Sequence, residues 1–169
     1  MAEEALAFIE QNRAVPFYLQ LALVTPHTPR VPSIAFNGKS RLSPYADVVL
    51  QMDWIVGEVM ATLDRLDLSD NTLLIFTSDN GAIISQTLLD RGHLSNLEWL
   101  GQKTDVWEGG TRVPFIARWP GKLPANVRLD HLFALVDLPS TIWAAVGVEA
   151  PPACLTEWIN GRFSLRQPT

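Results

Sequence analysis

An α/β fold, with a layered and mainly parallel sheet flanked by helices, is predicted by three observations. Short apolar runs that read as buried strands recur along the chain, and a long amphipathic helix separates the first two. Polar clusters rich in Gly, Asn and Pro sit beside the strand ends, where the loops of an open sheet gather. Strands alternating with helices are the mark of this class. With 169 residues, the chain has room for one compact domain with a real core. Residues 1–150 are read as that domain and residues 151–169 as an irregular tail.

The elements follow in order. Glu3, Glu4 and Glu10 lie among Ala5, Leu6, Phe8 and Ile9, the pattern of an amphipathic helix over residues 1–11. Residues 17–24 form an apolar run bounded by Pro16 and Pro26, which predicts a buried strand. Residues 25–42 read as a loop. Ser43-Pro44 then opens the clearest helix. Ser43 can accept from free backbone N–H groups, and Pro44 suits the first helical position because its missing donor costs nothing there. Val48, Met52, Ile55, Val56, Val59 and Leu63 recur at spacings of three and four, an apolar stripe on one face. The helix is expected to end near Leu66, before the polar turn Ser69-Asp70-Asn71. Residues 72–77 predict a second strand, 83–101 a long loop with one helical turn, and 113–118 a third strand. A short fourth strand is expected over 131–136. A helix over 139–146 is closed by Gly147.

Apolar residues make up 47% and charged residues 18% of the chain, a globular composition. The net charge of −5 and the scattered Lys and Arg give no electrostatic reason to expect nucleic acid or an anionic membrane as partner. The longest apolar runs are too short to span a bilayer, and the start of the sequence lacks the pattern of a secretory signal. The single cysteine, Cys154, allows no internal disulfide and gives no reading of compartment. Six Trp residues imply either an aromatic core or a surface built to meet something.

Three polar clusters carry the candidate chemistry, since ligands of an open sheet collect beyond the carboxyl ends of its strands. Thr25-Pro26-His27-Thr28-Pro29 follows the first strand and Ser78-Asp79-Asn80-Gly81 the second. The run from Gly101 through Lys103 and Glu108-Gly109-Gly110 leads into the third. Asp79 and Asn80 offer hard oxygen donors suited to calcium or magnesium. Lys103 can neutralise an oxyanion, and His27 can donate a hydrogen bond or act as a general acid. Together they suit a sulfate or phosphate ester. Each has a plainer alternative: Asp-Asn-Gly after a strand makes an ordinary turn, His27 makes an exposed loop histidine, and Lys103 a solvated lysine. His93 and His131 carry no assigned role.

The ordered run of these motifs resembles the sulfatase family of the alkaline-phosphatase superfamily, and within it the C-terminal half of the catalytic domain. The residues concerned are Pro26-His27-Thr28-Pro29, then Met52-Asp53 and Val56-Gly57 in the long helix, then Thr77-Ser78-Asp79-Asn80-Gly81. Lys103 with Glu108-Gly109-Gly110, Arg112-Val113-Pro114-Phe115, Trp119-Pro120-Gly121 and Asp137-Leu138-Pro139-Ser140-Thr141 continue it. The resemblance implies that Asp79 and Asn80 ligate a divalent cation, usually calcium. It implies that His27 and Lys103 hold the sulfate group and assist departure of the alcohol. Glu108, Gly109 and Gly110 shape a loop, and Asp53 and Asp137 are structural. The family also carries paired N-terminal aspartates and a Cys-x-Pro-x-Arg segment whose cysteine becomes the formylglycine nucleophile. Neither is in this sequence, and Ala153-Cys154-Leu155-Thr156-Glu157 does not match that segment.

Three functions are therefore expected in competition. One is a piece of a sulfatase without turnover of its own. Another is a residual hydrolase of phosphate, sulfate or carboxylic esters using Asp79, Asn80, His27 and Lys103. The third is a non-catalytic, self-associating scaffold. Calcium (or magnesium) binding is expected to be weak, and a homo-oligomer is expected from apolar surface and a sheet edge left without cover.

Overall fold

The computed structural model describes residues 1–149. The chain divides into two compact units, Met1–Asn126 and Val127–Thr169. The first contains α1 (Ala2–Gln11), α2 (Pro44–Arg65), β1 (Leu74–Thr77), the one-turn helices α3 (Gln86–Leu89) and α4 (Glu108–Thr111), and β2 (Phe115–Arg118). The second contains α5 (Leu138–Val146), entered through a 3-10 turn at Leu135–Asp137.

The long helix starts as its sequence dictates. Ser43 is extended at φ −171° and its Oγ accepts from the Ala46 amide at 3.2 Å, with Pro44 at the first position. The face that α2 buries includes Val48, Ile55, Val59 and Leu63. α1 lies across its C-terminal half and buries Ala5 and Ile9. Ile9, Val59 and Leu63 form the centre of the core, with Leu6, Phe17, Leu19, Leu21, Leu66, Leu68 and Leu74 packed around it. Phe8 and Phe17 meet edge to face at 5.9 Å. Two ion pairs frame this layer, the exposed Arg65 with Glu10 and the half-buried Arg118 with Asp64. The Asp64 carboxylate is held below its ordinary range by the Ser69 hydroxyl and by Arg118.

The sheet corrects the prediction. Among the described residues it has two strands, and they are antiparallel, with Leu74 opposite Arg118 and Thr77 opposite Phe115. The reason lies in the connection. A parallel partner requires the chain to cross to the far end of β1, usually on a helix. Residues 78–114 contain only two helices of four residues each, about 6 Å long, and they deliver the chain back to the end of β1 that it left.

Residues 17–24 form no strand in this structure, although their side chains alternate as a strand's would. Phe17, Leu19, Leu21 and Leu23 are half-buried, whereas Tyr18, Gln20, Ala22 and Val24 are exposed. What is missing is a ladder. Among the described residues, the only backbone hydrogen bond of this segment is the one its last carbonyl, on Val24, accepts from His27 at 3.0 Å. The expected strand over 131–136 is also absent. Its last residues enter the 3-10 turn, in which the Asp137 carboxylate accepts from the Ala134 amide at 2.9 Å.

α5 runs to Val146 and closes on Gly147 in the left-handed region, at φ 72°, as a C-terminal glycine should. The Asp137 carbonyl accepts from the Ser140 and Thr141 hydroxyls. Asp137 thus has a structural role at the start of this helix.

None of the five described Trp residues is buried: Trp54, Trp99 and Trp107 are exposed, and Trp119 and Trp143 half-buried. The aromatic-core alternative therefore fails for these five. The tail expected over 151–169, with Trp158 and Cys154, lies outside the described residues.

Asp47 is the one buried carboxylate on α2, 3% exposed. Its two oxygens accept from the Gly38 amide at 2.8 Å and the Ser40 amide at 2.7 Å, pinning the preceding loop onto the helix. The Ser40 hydroxyl and these amides lower its pKa from the ordinary 3.8. A depressed carboxylate contributes stability that is complete above the unfolded value and lost as pH falls through the folded value. Urea titrations should therefore show Asp47→Asn costing most above about pH 5, and progressively less below about pH 4. A gap between the two proteins that is constant down to about pH 2 would contradict this account.

Candidate active site

The turn after β1 and the loop before β2 are brought together by backbone contact. Because the strands are antiparallel, the carboxyl end of β1 and the amino end of β2 share one end of the sheet. The convergence expected of parallel strands is thus achieved by the opposite pairing. The Gly81 amide donates to the Gly110 carbonyl at 2.9 Å, and the Lys103 amide to the Ala82 carbonyl at 3.1 Å. The Gly109 amide donates to Leu100 at 2.8 Å.

Glycine is required at these crossings. A Cβ on Gly81 would lie 1.9 Å from the Gly109 carbonyl oxygen, one on Gly109 2.1 Å from that of Gly101, and one on Gly110 2.2 Å from that of Asp105. The Glu108-Gly109-Gly110 run therefore shapes the loop, in keeping with the sequence expectation. Glu108 itself faces outward and pairs with Arg112 at 2.9 Å.

Two side chains that sequence reasoning missed complete the lock. Asn96 Oδ1 accepts from the Ala82 amide at 2.8 Å, while its Nδ2 donates to the Ala82 carbonyl at 2.9 Å and to Gly101 at 3.3 Å. Gln102 Oε1 accepts from the Ile84 amide at 2.9 Å. Both sit in or beside a stretch with no apolar period, so only the folded chain shows their partners.

Within this frame the candidate ligands lie at the surface. Asp79 is exposed, and Ser78 Oγ stands 3.5 Å from its Oδ1. Asn80 is half-buried and donates through Nδ2 to the Gly81 carbonyl at 3.0 Å, and no hydrogen bond to its Oδ1 is made among the described residues. Asp79 and Asn80 thus present one carboxylate and one amide oxygen on this turn. Among the described residues no group of three or more His, Cys, Asp or Glu converges. The turn therefore offers only a few of the roughly six to eight oxygens that calcium takes. Lys103 is half-buried and tied to the turn through its backbone. His27 is exposed, and its Nδ1 lies 2.7 Å from the Thr28 carbonyl. No hydrogen bond or ion pair joins it to Asp79, Asn80 or Lys103 among the described residues. Asp53 is exposed on α2.

The turn after β1 is thus tied to the lysine loop through Asn96 and the Gly109-Gly110 pair. The family model described as Sulfatase matches residues 1–148, and the chain belongs to the sulfatase family. It is 41% identical over 157 residues to the N-acetylgalactosamine-6-O-sulfatase of Bacteroides thetaiotaomicron, covering 89% of this chain and 30% of that protein. It is 39% identical to the steryl-sulfatase of Rattus norvegicus, covering 89% of this chain and 26% of that one. Among solved structures, a 6S-sulf protein from B. thetaiotaomicron, described in connection with metabolism of multiple glycosaminoglycans, superposes with a TM-score of 0.83 at 41% identity. That match covers 89% of this chain and 32% of the other. The PsFucS1 sulfatase from Pseudoalteromonas sp. gives 0.76 at 31% identity, covering 89% and 30%. The chain thus has the fold of the corresponding part of sulfatases, and spans under a third of the length of these relatives.

Proposed function

We propose that this chain is part of a sulfatase-type hydrolase of sulfuric esters and has no sulfatase turnover alone. In this reading Asp79 and Asn80 supply part of a divalent-cation site for calcium or magnesium. Lys103 and His27 act on the sulfate group, Lys103 by charge and His27 by proton donation. The observation that carries the reading is the lock itself: backbone and side-chain hydrogen bonds hold the Asp79-Asn80 turn and the Lys103 loop in one fixed arrangement. Preorganised polar groups of this kind serve chemistry at a developing negative charge. The relatives' names range from a sugar 6-O-sulfatase to a steryl-sulfatase, so the substrate class is set no more narrowly than a sulfate ester.

Titration calorimetry with calcium tests this. Binding in the weak range typical of incomplete sites, on the order of 10⁻⁴–10⁻³ M, should be lost in Asp79→Ala and kept in Asp53→Ala. An aryl sulfate should show no turnover. Calcium binding indifferent to Asp79 would sink the metal assignment. Turnover that disappears in Lys103→Ala would replace this reading with the residual ester hydrolase.

Self-association is a second proposed property, favoured by segment 17–24, which pairs with no strand among the described residues. Backbone groups of an extended segment without a ladder are a template for strand pairing, and Val24, Ile116, Val106 and Trp107 are among the exposed large apolar side chains of the first unit. A symmetric dimer is the commonest closed solution. Sedimentation velocity should show mass rising with concentration and a shift toward monomer in Gln20→Pro, which removes a backbone donor from the segment. A protein that stays monomeric at every concentration would exclude it.

A further inference from the structure

The Asn96 carboxamide meets both backbone groups of a single residue. Its Oδ1 accepts from the Ala82 amide at 2.8 Å, and its Nδ2 donates to the Ala82 carbonyl at 2.9 Å. Nδ2 also reaches the Gly101 carbonyl at 3.3 Å, which an amide nitrogen with two hydrogens allows. Ala82 directly follows the Asp79-Asn80-Gly81 turn, and Gly101 lies two residues before Lys103. One side chain thus holds the chain just after the first candidate cluster and just before the lysine.

The Ala82 carbonyl is the junction between them. It accepts from Asn96 Nδ2 and also from the Lys103 amide, at 3.1 Å, so both of its lone pairs are used. A shift of the Ala82 peptide therefore reaches Lys103 directly. The lysine segment is in turn closed on itself. The Asp105 amide donates to the Gln102 carbonyl at 2.9 Å, and the Gln102 amide to the Asp105 carboxylate at 3.0 Å. Between them Thr104 has φ 81°, a left-handed backbone that a β-branched residue adopts only where its surroundings hold it. A turn closed in this way moves as a body, and its bonds to Ala82 and Asn96 help set where that body sits.

We infer that Asn96 is a positioning residue that joins the Asp79-Asn80 turn to the Lys103 loop, so that a cation at the turn is felt at the lysine. The relay from the cation rests on the proposed roles of Asp79, Asn80 and Lys103. The joining of the two segments is measurable without any metal.

Two NMR measurements on the full chain test this, with Asn96→Ala set against the parent and against Asn12→Ala. The Asn12 change removes a side-chain bond to the Phe8 carbonyl at the end of α1, a loss of similar kind away from the site. Without metal, Asn96→Ala should speed hydrogen exchange at the Lys103 amide about tenfold beyond any change at Val59, whose amide within α2 reports global opening. Asn12→Ala should change the two amides alike. With calcium chloride added, the Asn80 and Lys103 amide signals of the parent should shift with one midpoint. In Asn96→Ala the Asn80 signal should still shift and the Lys103 signal should stay. Equal acceleration at Lys103 and Val59 in Asn96→Ala would overturn the inference, with or without calcium binding. A parent Lys103 signal that ignores calcium while Asn80 responds would overturn the relay and leave the metal reading standing. If neither signal responds, the metal reading falls and the relay with it. Selective acceleration at Lys103 would then still support Asn96 as the joint.

Discussion

Gly81→Ala should unfold the candidate site while a glycine change elsewhere in the same unit does the opposite. The new Cβ would stand 1.9 Å from the Gly109 carbonyl oxygen and 3.2 Å from the Gly110 Cα. Both neighbours are backbone, so no side chain can swing away. Forcing atoms into packed space costs about 1–3 kcal/mol and sometimes more, and here the Gly81–Gly110 hydrogen bond is lost with it, adding about 1 kcal/mol. The control is Gly57→Ala. Gly57 lies inside α2 with nothing within 4 Å of its would-be Cβ, so alanine should stabilise the protein by about 0.5–1 kcal/mol. Urea midpoints of the two variants should move in opposite directions. A Gly81→Ala protein as stable as its parent, with calcium response intact, would show that the backbone crossing is not tight.

Leu63→Ala should be the most damaging truncation in the core. Leu63 is 2% exposed, and with Ile9 and Val59 it joins α1, α2 and the inward side chains of residues 17–21. Truncating such a residue typically costs about 2–5 kcal/mol, because the lost burial is joined by a cavity. Small domains hold only about 5–15 kcal/mol in total, so a large share of the stability should go. Ile34→Ala, at a side chain 97% exposed, should stay within about 0.5 kcal/mol of the parent. Equal effects of the two changes on the urea midpoint would mean that this cluster is not the centre of the core.

Features specified locally were legible in the sequence. Ser43-Pro44 starts a helix by supplying an acceptor and needing no donor, and α2 begins there. Gly147 ends α5 because only its missing Cβ makes the left-handed cap cheap. β1 and β2 were recognisable from short β-rich runs. The partners of those strands were not, since pairing depends on where residues 78–114 carry the chain, and apolar periodicity does not encode that. The same gap explains residues 17–24. Their alternation describes the side chains and is preserved, whereas a ladder needs a neighbour that no local pattern names. At the site, the motif residues could be picked out, and so could the loop-shaping role of Gly109 and Gly110. Asn96 could not, because its three hydrogen bonds reach residues 14 and 5 positions away from within an aperiodic loop. His27 stands out by composition and proline context, yet no hydrogen bond or ion pair among the described residues ties it to the lock.

The crossing of Gly81 and Gly110 also bounds when the turn after β1 can take its final shape, which is not before residue 110 has been made. During synthesis the Asp79-Asn80 turn emerges well before the carbonyl that holds it and before β2, the partner of β1. Until then the turn has only neighbours such as Ser78 and Gly81 to bond, and β1 has an open edge. Closing a loop of this length carries an entropic cost that contacts repay only once they form. α1, residues 17–21 and α2 can meanwhile assemble around Ile9, Val59 and Leu63 from segments already made. The core of the first unit is therefore available early, and the shape of the candidate cation turn arrives late, set by glycines about thirty residues downstream.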